Sequence, residues 1–230
     1  MRLLALNPNS SERMTADIAR TASACALPGI EVNVVRMPGS PEVLESFADY
    51  TLAAAEMLAA VRRGAAEGYD GVLVCCFGDP GLWALKEELD VPVIGIAEAA
   101  LSRALLLGGR FSVVAASAKA RPMMEALVDG YGLASRNAGT VTLGAPIASF
   151  LGKPDRLAAL VREALAREAP SADVLVLGCA GMTELSGSDV SWAGGRAVID
   201  PVACGISTLS ALVADGARVS RLGLFGPPGA

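Results

Sequence analysis

Two cysteines, Cys76 and Cys179, lie at matching positions in the two halves of the 230-residue chain. Asp70–Gly78 aligns without a gap to Asp173–Gly181, and both segments run from an aspartate through an apolar stretch to Cys-x-Gly. Taken singly, either cysteine would be a core residue more often than a functional one. A cysteine and a glycine in register favour an internal repeat of two lobes over a chance similarity between two buried strands.

The chemistry open to such a pair is proton transfer on opposite sides of one carbon atom. We expect each cysteine to lie at the carboxyl end of its strand, the edge at which open α/β sheets bind ligands. The start of the following helix would lower the pKa of the thiol. One sulfur would act as a thiolate base and the other as a thiol acid, while the loops 77–79 and 180–183 would donate N–H groups to an enolate oxygen.

Histidine is absent from the sequence, and this narrows the possible enzymes. Serine–histidine triads, histidine-assisted cysteine hydrolases and most zinc sites are excluded, so we predict no metal site. Five cysteines at irregular spacing indicate reduced thiols rather than a disulfide scaffold. We assign Cys75 to the core, because it points to the opposite side of the strand from Cys76, and we assign Cys25 and Cys204 to the core as well.

Charge and hydrophobicity exclude several classes of partner. The net charge is −5 without a cluster of Lys and Arg, and aromatic residues make up 4%, which is unlike a nucleic-acid-binding surface. No apolar run reaches the length of about 18 residues that a membrane span needs. Asn7-Pro8-Asn9 interrupts the first apolar stretch, so we expect no signal peptide and a cytoplasmic protein that acts on a small molecule.

Short apolar runs alternate with longer amphipathic stretches, which predicts an α/β fold with mainly parallel sheets. The predicted strands are 3–6, 32–36, 72–75, 93–96, 112–115, 174–177 and 197–199. The predicted helices are 10–24, 46–67, 81–88, 98–107, 121–130, 155–167 and 205–213. Asp79 and Pro80 form a good cap and first-turn pair for the third of these helices.

These elements are assigned to two pseudo-symmetric Rossmann-like lobes with the active site in the cleft between them. The first lobe comprises 1–102, joined by a C-terminal helix 205–230, and the second comprises 103–204. Leu3–Asn7 and Ser112–Ala116 are aligned as the opening strands of the two lobes.

At these positions the sequence resembles the hydantoin and allantoin racemases, within the aspartate/glutamate racemase superfamily. Matching segments occur in family order over nearly the whole chain: Leu6–Ser10, Cys76–Leu82, Pro92–Ala100, Val176–Met182 and Ile199–Val202. The segment Cys-Phe-Gly-Asp-Pro-Gly-Leu is typical of the hydantoin branch, whereas the amino-acid racemases more often have Cys-Asn-Thr there.

The resemblance implies a cofactor-independent racemase, usually a homo-oligomer, in which Cys76 and Cys179 are the two catalytic bases. By the same resemblance, the substrate-binding residues are Asn7, Ser10, Phe77, Gly78, Ser117, Gly181 and Met182. Family members often carry two threonines where this chain has Ala115 and Ala116, and Ser117 is the hydroxyl that remains there.

The leading hypothesis is therefore racemisation of a 5-substituted hydantoin or of allantoin. Other reactions of the superfamily are the alternatives: aspartate/glutamate-type amino-acid racemisation, maleate isomerisation and arylmalonate decarboxylation. Decarboxylation ranks lower, because single-cysteine decarboxylases lack one of the two thiols. Outside catalysis, a two-lobed α/β chain could serve as a small-molecule binding protein.

Overall fold

The computed structural model describes residues 1–168, 170–185 and 190–226. The chain divides into two compact units. Unit 1 is Met1–Ile96 with Gly205–Ala230, and unit 2 is Ala97–Cys204. Each unit contains a four-stranded parallel sheet with helices, which confirms the predicted α/β class.

Unit 1 is built on the strand order β2-β1-β3-β4. Its strands are β1 (Arg2–Asn7), β2 (Glu31–Arg36), β3 (Gly71–Val74) and β4 (Val93–Gly95), and its helices include α1 (Glu12–Cys25), α2 (Phe47–Arg62) and α3 (Leu82–Glu88). The central strands β1 and β3 are almost wholly buried, as is typical of parallel strands covered on both faces. Ser11 and Ser46 start α1 and α2, because their hydroxyls accept hydrogen bonds from Met14 N and Asp49 N.

Unit 2 repeats this plan with the strand order β6-β5-β7-β8. Its elements are α4 (Ile96–Leu107), β5 (Phe111–Ala115), α5 (Ala120–Gly130), β6 (Asn137–Thr142), α6 (Pro154–Glu168), β7 (Val174–Leu177) and β8 (Ala197–Ile199), followed by α7 (Pro201–Ala214), which returns to unit 1. A core of aliphatic residues with Phe150, Met182 and Trp192 packs on one face of the sheet. No helix in the described ranges is long and apolar enough to cross a bilayer.

Each of the two sheets contains the same backbone hydrogen bond at a matching position. Cys75 N donates to Leu6 O (2.8 Å), and Gly178 N donates to Val114 O (2.8 Å). Strand pairing places Leu3 beside Gly71 and Phe111 beside Val174. Leu3 is therefore equivalent to Phe111, so the predicted alignment of Leu3–Asn7 with Ser112–Ala116 is wrong by one residue.

Strand β6 was not predicted from the sequence. It contains Asn137 and Gly139, which are poor strand formers, and its pairing with β5 is irregular between Phe111 and Val113. Gly139 has φ +102°, a conformation that glycine adopts without steric cost.

The predicted C-terminal helix 205–230 is also corrected. α7 ends at Ala214, and Gly216 follows with φ +69°, a common way for a helix to end. Beyond it, the Arg221 guanidinium donates to the backbone oxygens of Lys86 and Glu87, both at 2.9 Å, and thus holds the following segment against α3. Residues 227–230 lie outside the described residues.

Candidate active site

Cys76 follows Cys75 at the carboxyl end of β3, and the two thiols differ in environment. Cys75 is buried, whereas Cys76 is partly exposed. Burial, followed by the neighbouring Cys76 and Asp79, raises the pKa of the Cys75 thiol far above its ordinary value. Cys75 is therefore a neutral core residue, as predicted, and Cys76 is the accessible thiol of this strand end.

Tyr50 of α2 lies against the loop that follows Cys76. A Cβ atom built on Gly78 would be 2.3 Å from Cε2 and Cζ of the Tyr50 ring and 2.5 Å from its hydroxyl oxygen. Only glycine at position 78 leaves room for this phenol. No motif marks Tyr50, which lies in an alanine-rich helix, so sequence reasoning missed it at this edge.

Asp79 is not the N-cap residue of α3, contrary to the prediction. The N-cap of α3 is Gly81, which makes no side-chain capping bond, and Pro80 precedes the helix. Asp79 has φ +43°, and its buried carboxylate packs against Gly95 at the end of β4. The backbone turn, closed by Asp79 N donating to Cys76 O (3.0 Å), directs the carboxylate towards the sheet edge.

Cys179 follows β7 in unit 2 and is partly exposed. The backbone N–H of Gly181 donates to the Cys179 sulfur (3.3 Å), and Met182 N donates to Cys179 O (3.0 Å) at the start of a 3₁₀ helix, Ala180–Leu185. A hydrogen bond to sulfur favours the charged thiolate over the neutral thiol. The Gly181 N–H is thus a local group that would stabilise a thiolate at Cys179.

Two aliphatic side chains lie beside Cys179. A Cβ atom built on Gly181 would be 3.2 Å from Leu151 Cδ1, 3.5 Å from Cys179 Sγ and 3.8 Å from Ile147 Cγ2. Both side chains belong to the connection between β6 and α6, which was not predicted to contribute to the site. No residue pattern in this connection distinguishes it from an ordinary loop.

Asn7 is the last residue of β1, and Ser10 lies in the loop that follows it. Asn7 is buried, and its Nδ2 donates to Asn9 Oδ1 and to Thr15 Oγ1, both at 2.9 Å. Asn9 Oδ1 in turn accepts from Ser11 N (2.9 Å). These bonds show that Asn7 shapes the loop, while Ser10 is partly exposed beside it.

The remaining predicted binding residues differ in exposure. Ser117 is partly exposed, and its hydroxyl accepts from Ala120 N (3.3 Å) at the start of α5. Phe77 and Met182 are buried, and Met182 packs in the core of unit 2. Both residues are almost wholly buried, backbone and side chain alike, so the structure leaves neither exposed to a substrate.

Within the part of the chain that the structure describes, no three or more Cys, Asp or Glu side chains cluster as metal ligands would. The five cysteines all lie in that part and form no disulfide bond with one another. The chemistry available at each strand end is that of a thiol, backbone N–H groups and a few neighbouring side chains.

Comparison with known proteins identifies the family. The chain is 33% identical to a hydantoin racemase of Pseudomonas sp. (strain NS671), covering 99% of this chain and 92% of that protein. It is 34% identical to a hydantoin racemase of Paenarthrobacter aurescens, covering 99% of this chain and 98% of that protein. An allantoin racemase structure from Klebsiella pneumoniae superposes with a TM-score of 0.91 at 31% identity, covering 100% and 94% of the two chains. These matches confirm the predicted enzyme class, a racemase, and the model of the Asp/Glu/Hydantoin racemase family matches residues 3–209, so the chain belongs to that family.

Proposed function

We propose that this racemase inverts the stereocentre of 5-substituted hydantoins, with Cys76 and Cys179 as its two acid–base groups. One observation carries the proposal: each thiol follows the equivalent strand of its unit, β3 or β7, and each is partly exposed. The hydantoin racemases and allantoin racemase that the chain resembles act on related rings.

In the proposed reaction, one cysteine is a thiolate and the other a thiol. The thiolate takes the proton from the ring carbon that carries the substituent, and the electron pair moves onto the adjacent carbonyl oxygen. Backbone N–H groups of the loops after the two cysteines stabilise that enolate oxygen. The second thiol then donates its proton to the opposite face of the same carbon, and the two sulfurs have exchanged protonation states.

The acidity of the hydantoin ring supports this assignment. Its reacting carbon lies between a carbonyl and a ring nitrogen, so a thiolate with a lowered pKa is a sufficient base. The Gly181 N–H bond to the Cys179 sulfur supports a thiolate at that position. Proton transfer of this kind draws on no cofactor.

Isotope exchange tests the proposal. The enzyme is incubated with an optically pure 5-substituted hydantoin in deuterated water, and optical rotation is followed together with deuterium uptake at the stereocentre by NMR. We expect loss of rotation with incorporation of one deuterium. Carbon dioxide release from an arylmalonate without any effect on hydantoins would instead assign a decarboxylase. Binding without turnover across hydantoins, amino acids and malonates would assign a binding protein.

We also propose that the chain forms a homo-oligomer and acts in the cytoplasm. The helices α2 and α3 pack against each other, and three of their large apolar side chains, Phe47, Leu52 and Trp83, are each more than half exposed. Such exposed apolar side chains support self-association. Sedimentation velocity of the purified protein tests the first part, because a single monomeric species would contradict it. Fractionation of cells from the source organism tests the second.

A further inference from the structure

Two aliphatic side chains, Leu151 and Ile147, lie beside Gly181, whose N–H is hydrogen-bonded to the Cys179 sulfur. One point, the position of a Cβ on Gly181, lies within 4 Å of Cys179 Sγ, Leu151 Cδ1 and Ile147 Cγ2. Leu151 and Ile147 are partly exposed, so their outer surfaces are available for contact. The exposed parts of these two hydrocarbon side chains therefore lie near the backbone that holds the Cys179 sulfur.

The connection between β6 and α6, which carries Ile147 and Leu151, is held by hydrogen bonds within the segment and by one buried side chain. Phe150 is fully buried in the core of unit 2 and fixes the segment there. The backbone N–H groups of Phe150 and Leu151 both donate to Ile147 O, at 3.2 and 3.1 Å. Ser149 directs its N–H and its hydroxyl to Pro146 O, at 2.9 and 2.7 Å. These donors are used within the segment, and the atoms of the segment nearest a Cβ on Gly181 are side-chain carbons.

We infer that Ile147 and Leu151 are specificity-determining residues that receive the substituent of the hydantoin ring and select aliphatic substituents. This inference rests on the proposed function, because it assumes that a hydantoin reacts at Cys179. A branched alkyl substituent would bury its surface against both side chains, which is favourable in proportion to the area removed from water.

The hydrocarbon side chains of Ile147 and Leu151 disfavour the ureido substituent of allantoin. A ureido group carries N–H donors and a carbonyl, and each of these would lose its water on contact with Ile147 and Leu151. Burying polar groups without partners is costly, whereas an alkyl group has none to satisfy. Of the two substrate types, allantoin and other 5-substituted hydantoins, Ile147 and Leu151 therefore favour hydantoins with aliphatic substituents.

Substrate competition tests the inference on the full chain. We would measure kcat/KM for 5-isobutylhydantoin, 5-methylhydantoin and allantoin with wild type, Leu151→Ala and Leu151→Asn. Leu151→Ala should lower kcat/KM for the isobutyl substrate by about tenfold, the scale of losing apolar contact in a pocket, and should change the methyl substrate by no more than about twofold. Leu151→Asn should raise the ratio of allantoin to isobutyl turnover.

The control is Leu106→Ala, which makes the same change at a side chain of unit 2 that is 84% exposed. It should leave all three rates unchanged. Ile147→Val, a smaller change, keeps the inference testable should Leu151→Ala not fold. Equal losses on the isobutyl and methyl substrates, or an unchanged preference in every folded variant, would overturn the inference. Wild type that racemises none of the three would instead remove the proposed function.

Discussion

The carboxylate of Asp79 and the backbone of Gly95 are in direct contact at the carboxyl edge of the first sheet. A Cβ atom on Gly95 would lie 2.1 Å from Asp79 Oδ1. Strand pairing sets Ile94 beside Leu73 and Ile199 beside Val176, so Asp200 is the residue of unit 2 that matches Gly95. Both units thus place a carboxylate at this position, but one takes it from the loop after β3 and the other from the end of its last strand.

This relationship predicts that unit 1 can carry its carboxylate at the end of β4, as unit 2 does, in place of the carboxylate of Asp79. Gly95→Ala should destabilise the protein by about 1–3 kcal/mol, because the new methyl group displaces the Asp79 carboxylate. The double variant Asp79→Gly/Gly95→Asp should be more stable than Gly95→Asp alone, since only one carboxylate then occupies the site. Glycine tolerates the φ of +43° at position 79. Urea unfolding of the single and double variants measures the coupling, and strictly additive effects would contradict it.

Substitution of the reactive thiols should separate chemistry from folding. We expect Cys76→Ser and Cys179→Ser each to abolish racemisation while leaving the thermal unfolding temperature close to that of wild type, because both side chains are partly exposed. Exchange of the substrate proton with solvent could persist in one enantiomer, since one base still faces it. Cys75→Ser is the matched control: it buries a hydroxyl and should reduce stability more than turnover. Normal racemisation by both single variants would refute the two-thiol mechanism.

Alkylation should distinguish the cysteines without any substrate. The thiolate is the reactive form, and burial raises the pKa of Cys75, so Cys75 stays protonated at pH 8. With limiting iodoacetamide, peptide mass spectrometry should find Cys76 and Cys179 modified well before Cys75 and the buried Cys204. Early modification of Cys75 would show that this strand end opens in solution.

Gly181→Ala should block the site without unfolding it. The added methyl group would lie 3.5 Å from Cys179 Sγ and 3.2 Å from Leu151 Cδ1, which a side-chain methyl can accommodate by a small shift. It would occupy the approach to the sulfur, and kcat/KM should fall on the order of 100-fold, as expected when reacting groups are held about 1 Å out of place. Gly130→Ala, at a position with no atom near its Cβ, is the control and should keep full activity. Unchanged kinetics of Gly181→Ala would mean that the substrate avoids this side of Cys179.

Glu168 should make part of the stability of unit 2 depend on pH. Burial raises the pKa of Glu168, but hydrogen bonds from Arg121 and from the N–H and hydroxyl of Thr142 outweigh it, and the pKa lies below its ordinary value of 4.5. Because the folded pKa is lowered, this stabilisation is present above pH 4.5 and is lost as the pH falls through the folded value.

Glu168→Gln should therefore cost about 1 kcal/mol near neutral pH, the scale of a charge-assisted hydrogen bond. The difference from wild type in urea unfolding should shrink as the pH falls from 4.5 through the lowered folded pKa. A difference that stays constant over this range would show that the loss comes from packing rather than from the carboxylate. Glu163→Gln, on the same helix, provides a matched control.

The sequence carried most of the information on the sheets and the thiols. Apolar runs predicted seven of the eight strands, β6 being the exception, because buried parallel strands are continuous in hydrophobicity. The repeat around Cys76 and Cys179 was visible because cysteine and glycine recur in register. The opening strands lacked such a marker, and apolar residues alone left their alignment one position out of register.

Tertiary contacts account for the residues that were missed. Tyr50, Ile147 and Leu151 approach the glycines after the two cysteines from elements far away in sequence, and no local spacing encodes such an approach. Asp79 was interpreted as a helix cap because Asp-Pro is a common start of a helix. Its positive φ and its packing on Gly95 depend on β4, which the local sequence does not report.

The unlike neighbours of Gly78 and Gly181 make the surroundings of the two thiols of the proposed enzyme asymmetric. A phenol stands by the first glycine and two alkyl groups stand by the second, so removal of a proton at Cys76 takes place in a different setting from removal at Cys179. Mirror-image substrates have equal energies in solution, which forces equal catalytic efficiencies for the forward and reverse conversions. The values of kcat and KM can nonetheless differ between the two enantiomers, because only their ratio has to be equal.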